Sequence, residues 1–247
     1  MQDYCNTDIT IKDLCKKHKV SDRIIYDAIK NGEIQKRVKK EKYEENLAND
    51  NELKYYLLGL IGSDGCLHKN NRTIEISLHR RDKDILQKIS LSLFKEDRVI
   101  VDGKRNRARL IISNKRIAKF YQDFGITPRK SATLKIRFEK IPKEYFHHFL
   151  RGYIDGDGCY NVKNINNIGI YVCGNEFMMN NLCEYVEKHY SIKGNVYHLN
   201  ENISFPFFRW VIQKTVNAKQ LIHIIYSDAN YYIERKYNII KSVLCAV

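Results

Sequence analysis

The sequence predicts an α+β protein: two tandem, pseudo-symmetric αββαββα repeats preceded by a small helical N-terminal domain. Three observations carry this. LLGLIGSDGC (57–66) and LRGYIDGDGC (150–159) share Leu, Gly, Ile, Asp, Gly and Cys in register, 93 residues apart. Each decapeptide opens the same succession of periodicities: an apolar helix, alternating residues, a helix, a hairpin and a further helix. A charged stretch nearly free of apolar residues, QKRVKKEKYEENLANDN, separates the repeats from what precedes them. The expected divisions are residues 1–35, a charged linker at 36–52, a first repeat at 53–140 and a second at 141–247.

The elements follow in order. In ITIKDLCKKHKVSDRIIYDAIKNGEI, Ile11, Leu14 and Cys15 share a helical face. Ser21 is placed to cap a second helix bearing Ile24, Ile25, Ala28 and Ile29, and Asn31-Gly32 is a stop signal. Two short helices joined so tightly resemble a helix-turn-helix, whose second helix reads DNA. After the first decapeptide, TIEISLHR sets Ile74, Ile76 and Leu78 against Thr73, Glu75, Ser77 and His79, the pattern of a half-buried strand. A helix over about 82–94 precedes RVIVDGKRNRARLIIS, a hairpin whose Asp102-Gly103 pair suits a turn. A helix over about 114–124 stops at Gly125. The second repeat supplies the strand NIGIYVCG, the helix NEFMMNNLCEYVEKHY and the hairpin strands NVYHL and FFRWVIQ. The helix TVNAKQLIHIIYS and a C-terminal helix through YYIERKYNIIKSVL complete it.

Composition narrows the partners. A formal charge of +14 points to a polyanion, nucleic acid or an acidic membrane face. No run approaches the ~18 apolar residues a bilayer span requires, and no signal peptide opens the chain. The expectation is a soluble intracellular protein, cytoplasmic in a bacterium or phage-infected cell, or in an organelle. The seven cysteines are scattered without a C-x-x-C pair, which argues for reduced thiols over a zinc or disulfide framework.

The two decapeptides pose a problem. The last turn of a helix carries unpaired carbonyls and the negative dipole end, where cations are favoured, yet Asp64, Asp155 and Asp157 sit there. LLGLIGSDG and LRGYIDGDG resemble the two copies of the signature that names the LAGLIDADG homing endonucleases, over about residues 53–247. The resemblance implies a saddle that binds double-stranded DNA, with the signature helices packed side by side through Gly59, Gly62, Gly152 and Gly156. It implies a site-specific endonuclease that cuts both strands across the minor groove and leaves short 3′ overhangs. It also implies a monomer, since one chain supplies both halves. Asp64 and Asp157, at the eighth motif position, would hold a divalent cation, Mg²⁺ or Mn²⁺, because two carboxylates beside two negative helix ends need positive charge between them. Asp155 stands where the first copy has Gly62, so the halves are not equivalent, and Arg151 is expected to point away from the helix pair. A basic residue near each scissile phosphate is implied too, and PRKS (128–131) and ERKY (234–237) offer Lys130 and Lys236, with Arg129 and Arg235 as the alternatives.

The sheets would lie in the major groove. Arg105, Arg107 and Arg109 share one face of the first hairpin and suit guanine, with Lys69 and Arg72 at a strand turn. The second half offers Asn161, Lys163, Asn164, Tyr171, Arg209 and Gln213, of which the asparagines suit adenine. From Arg98 to Lys135 the local charge balance is +9, so much of the affinity should come from phosphates. Two other functions stay open: a non-catalytic DNA-binding regulator on the same fold, and an RNA maturase that assists intron splicing.

Overall fold

A computed structural model describes residues 11–34, 45–199 and 207–245. The chain divides into two compact units, residues 1–41 and 42–247.

In the first unit, α1 (Ile11–His18) and α2 (Asp22–Lys30) are joined by a turn in which Lys19 adopts a left-handed φ of 52°. Leu14, Ile25, Ala28 and Ile34 form its core, with Ile11, Cys15, Val20 and Ile29 against them. Two expectations need correcting. Ser21 holds the cap position in extended conformation, but its side chain makes no capping bond. Ile24, placed with the apolar face by periodicity, is 52% exposed, because the core stripe of so short a helix runs through Ile25 and Ala28, with Ile29 at its edge.

The second unit opens with one helical turn (Glu45–Ala48), and residues 35–44 of the charged stretch lie outside the described residues. Helix α3 (Glu52–Asp64) starts at Asn51, whose side chain accepts from the Lys54 N–H, and runs buried from Leu53 to Gly62. Strands β1 (Gly65–Leu67) and β2 (Thr73–His79), helix α4 (Lys83–Phe94), strands β3 (Ile100–Asp102) and β4 (Arg107–Ser113), and helix α5 (Lys115–Asp123) complete the first repeat. Three short 3₁₀ turns lead to α6 (Phe146–Asp157). The second repeat continues with β5 (Gly158–Asn164), β6 (Asn167–Gly174), α7 (Glu176–Tyr190), β7 (Asn195–His198), β8 (Phe208–Ile212) and α8 (Thr215–Tyr226). An added helix, α9 (Glu234–Leu244), has no counterpart in the first half.

Each half forms an antiparallel four-stranded sheet, in orders β1-β2-β4-β3 and β5-β6-β8-β7. The alternation read from TIEISLHR is realised: Ile74, Ile76 and Leu78 are buried, with Ala108, Leu110 and Ile112 of β4 beside them. Each sheet therefore turns its apolar face to helices and its polar face outward. The core is continuous across both halves and centres on Tyr55, Tyr56, Leu57, Leu60, Phe149, Leu150 and Tyr153 of the two signature helices.

Candidate active site and nucleic-acid interface

Glycine lets α3 and α6 meet backbone to backbone. A methyl group at Gly59 would stand 2.1 Å from the Phe149 carbonyl oxygen, and one at Gly152 2.1 Å from that of Tyr56. The contacts are reciprocal, as a pseudo-two-fold axis between the helices demands. At Gly156 a methyl would fall 1.9 Å from Ser63 Oγ and 3.1 Å from Asp64 Oδ2, which brings the Asp64 carboxylate beside the residue preceding Asp157. Gly62 is the looser member, with only the Tyr153 ring at 3.3 Å.

The two helices end side by side, so their negative termini and the two carboxylates converge. Neither Asp64 nor Asp157 has a hydrogen-bond or ion-pair partner among the described residues. Asp64 is half-buried and burial raises its pKa, opposed by Lys236 and then Lys130. The outer edge of Asp157 reaches solvent, yet the packed helix ends withhold water from much of the carboxylate. That burial, and next the charge of Asp64, push it up to about 6 against the pull of Lys130 and Lys236.

Lys130 and Lys236 are not surface lysines. Each is 5% exposed and ends beneath a helix terminus. Lys130 Nζ donates to the Ser63 carbonyl at 2.9 Å. Lys236 Nζ donates to the carbonyls of Ile154, Gly156 and Gly158 at 2.8, 3.1 and 2.7 Å. The ammonium groups thus occupy the positions that helix C-termini favour for cations. Burial lowers the pKa of both, while the Asp157 and Asp64 carboxylates oppose that at Lys130 and Asp155 does so first at Lys236. The alternative Arg235 is engaged elsewhere, in a two-pronged pair with Asp82 at 2.9 and 3.1 Å, and Arg129 is exposed with a left-handed φ of 58°.

Asp155, 1% exposed, faces inward. It accepts from Tyr56 Oη at 2.9 Å, Tyr226 Oη at 3.1 Å and the Ile233 N–H at 2.9 Å, so it anchors the segment leading into α9. Arg151 does not point away from the helix pair. It is fully buried and reaches Glu52 at the start of α3, the carbonyls of Ile225 and Tyr231, and His148 Nδ1. Glu52 also accepts from the N–H groups of Asn230 and Tyr231, so the carboxylate that neutralises the buried guanidinium is itself held by the segment leading to α9.

His147, His148 and Asp228 place three potential ligand atoms within 4.8 Å of one another. Arg151, which can only donate, bonds to His148 Nδ1. The neutral ring then carries its proton on Nε2, 3.8 Å from Asp228, leaving no lone pair there for a metal.

Of the groups expected to read DNA, Arg107 and Arg109 lie on the outward face of β4, Tyr171 on that of β6 and Arg209 on that of β8. Asn161 is exposed on β5, with Lys163 and Asn164 at its end beyond a register shift. Lys69 and Arg72 are exposed in the β1–β2 loop, and Gln213 follows β8. Arg105 is the exception. It sits in the β3–β4 turn rather than on the strand face, 3.8 Å from Asp102, whose side chain caps that turn by accepting from the Lys104 and Arg105 N–H groups. Arg107, Arg109 and Arg209 each keep a buried Nε with no hydrogen-bond partner among the described residues. Sequence reasoning passed over Glu75, which shares the outward face with Arg109. Its place in the alternation with Thr73, Ser77 and His79 was the available signal.

The geometry now has its comparisons. Residues 51–125 match the family model of the LAGLIDADG-like domain. The I-LtrWI LAGLIDADG homing endonuclease, solved bound to target DNA, is similar over 76% of this chain and 87% of its own, with a TM-score of 0.52 at 12% identity. I-DmoI in complex with DNA and Ca gives 0.52 at 14% over 77% and 97% of the two chains. I-GzeII, a LAGLIDADG homing endonuclease in complex with its DNA target, gives 0.52 at 13% over 77% and 88%. No curated protein sequence matches the chain. The class is thereby defined: the chain carries a LAGLIDADG-like domain and has the fold of the LAGLIDADG homing endonucleases.

Proposed function

We propose that this protein is a site-specific endonuclease of double-stranded DNA, a homing endonuclease that hydrolyses one phosphodiester on each strand across the minor groove and leaves short 3′ overhangs. The observation that carries this is the pair of unpartnered carboxylates, Asp64 and Asp157, at adjoining helix ends with two buried lysines beside them. The donor set fits a divalent cation: hard oxygens, pKa values raised by burial, and at Asp157 by the other carboxylate. Mg²⁺ or Mn²⁺ held there would supply an acidified water and charge neutralisation at the leaving oxygen. Lys130 and Lys236 keep positive potential where a phosphate would approach, while their helix-end carbonyls fix them in place.

The outward faces of the two sheets would lie in the major groove through Arg107, Arg109, Tyr171 and Arg209. Lys69, Arg72, Arg105, Asn161, Lys163, Asn164 and Gln213 would add contacts from loops and edges. The α1–α2 unit, read as a helix-turn-helix, would extend the footprint, and a single chain suffices because it holds both halves. Among the described residues no helix is long and apolar enough to cross a membrane.

The test is selection of cut duplexes from a randomised library in Mg²⁺, run beside the Asp64→Asn/Asp157→Asn double variant. One long asymmetric site, cut with short 3′ overhangs by the parent and only bound by the variant, is the expected result. Retention of the same DNA by both proteins without cutting would replace the endonuclease with a regulator.

A further inference from the structure

The register of the two sheets relates their arginines one to one. On β4, Arg109 lies opposite Ser77 of β2 and Ile100 of β3. On β8, Arg209 lies opposite Cys173 of β6 and Tyr197 of β7. Gly65 and Gly158, the first residues after the signature helices, pair with Ile76 and Val172, so the two registers superpose without a shift. Arg109 and Arg209 are therefore the same position on the two sheets. Both are partly exposed and both hold a buried Nε that nothing among the described residues accepts. Since each Nε is enclosed, the terminal Nη groups are the donors a base could meet, and a guanidinium can present them two-pronged.

The diagonal neighbours differ. Two residues before Ser77 is Glu75, and the corresponding residue before Cys173 is Tyr171. Glu75 Oε1 is 3.6 Å from Arg109 Nη1, and its Oε2 is 3.3 Å from His68 Nε2. A carboxylate on a face that meets phosphates weakens binding to every sequence alike. Arg109 and His68 hold it in place, and a carboxylate so held keeps lone pairs with which it can accept from a base. Among major-groove groups only the amino groups of cytosine and adenine donate, and a bare carboxylate, which cannot also donate to adenine N7, suits cytosine N4.

We propose that Arg109 and Arg209 are a pseudo-symmetric pair of guanine readers, one in each half of the target, and that Glu75 accepts from the N4 amino group of a cytosine beside the first guanine. The first half-site is then read more strictly than the second, where Tyr171 replaces the carboxylate. This rests on the reading of the protein as a site-specific DNA enzyme.

Duplexes retained from a randomised library in EDTA, so that binding rather than cutting is scored, separate the two. The parent should prefer guanine at two positions equidistant from the centre of the site. Arg109→Ala should flatten one of them and Arg209→Ala the other, each by about 5- to 150-fold. Glu75→Gln should lose the cytosine preference beside the first guanine, shift it toward adenine and bind unrelated DNA more tightly. Guanine preferences untouched by the arginine substitutions would overturn the pairing. A Glu75→Gln variant weakened on all sequences alike would reduce Glu75 to a structural support. If the parent retains no preferred sequence at all, it is the site-specific reading itself that fails.

Discussion

Replacing Gly152 by alanine tests whether the helix backbones touch, and two effects of opposite sign compete. Alanine is the better helix former by about 1 kcal/mol, which favours the variant. Against this, the new methyl would lie 2.1 Å from the Tyr56 carbonyl oxygen and 3.0 Å from the Leu60 nitrogen. Carbon atoms in good contact stand ~3.5–4.0 Å apart, so the helices must part by more than about 1 Å. Overpacking of this kind costs about 1–3 kcal/mol, and the upper end applies because both obstacles are backbone, which no rotamer change can move. The net loss is about 2 kcal/mol, or a melting temperature lowered by about 4–8 °C for a unit of this size. Two controls calibrate it in the same calorimetric scan. Gly103, in the β3–β4 turn, has nothing within 4 Å of an added methyl, and its alanine variant should melt within about 2 °C of the parent. At Gly62 the Tyr153 ring at 3.3 Å roughly offsets the gain in helix propensity. A Gly152→Ala protein that melts at or above Gly103→Ala would refute close packing of α3 on α6, and with it the convergence of the two carboxylates.

Three further outcomes follow from the site. With Asp157 raised to about 6, Mg²⁺ must displace a proton below that pH, so its affinity should fall about fivefold between pH 6 and 5 and level off above pH 7 or so; calorimetric titrations giving one affinity at about pH 5 and pH 7 would count against Asp157 as a ligand. Lys236 donates to three carbonyls, of which Ile154 also accepts the Gly158 N–H, and Lys130 donates to one, so Lys236→Met should lower the urea midpoint more than Lys130→Met, a carbonyl left with no partner costing about 1–3 kcal/mol; the reverse order would contradict the unequal docking. His148 is held neutral to about 3 by burial, with His147 and Arg151 adding to it. Its folded pKa lies below the unfolded one, so its share of stability is present above about pH 6.5 and lost as pH falls from there toward 3. His148→Gln should flatten that part of the stability profile, and an unchanged acid limb would show that other groups govern it.

Much of the scaffold was legible because it rests on short-range periodicity. TIEISLHR and NIGIYVCG became β2 and β6 almost residue for residue, since alternation and β-branched side chains leave a half-buried strand little choice. The pairing of two signature copies likewise placed the helix ends. What stayed hidden depends on where chain segments distant in sequence come to rest. Nothing beside Lys130 or Lys236 distinguishes a lysine folded beneath a helix end from one in solvent; only their equivalent places in the two repeats pointed to them. Asp155 and Asp157 look alike in DGDG, yet they lie two residues apart on a helix and so face in different directions. One meets Tyr56 and Tyr226 in the core and the other meets solvent beside Asp64. Arg105 was assigned to the strand because alternation runs on through the turn, where Asp102 caps the backbone and ends the ladder.

The segment from Asn230 to Arg235 takes hold of the first repeat at four side chains, Lys88 and Ser92 of α4 and the carboxylates of Glu52 and Asp82. A protein built of two alike halves invites recombination, with one half exchanged for another to compose a new specificity. Here the exchange is not free. A donor first half lacking the two carboxylates would leave Arg151 buried without its counter-charge and Arg235 without its partner. Chimeras should therefore keep Glu52 and Asp82 with the second half they serve, and the seam between modules runs through α3 and the start of α4, not through the linker that joins the repeats.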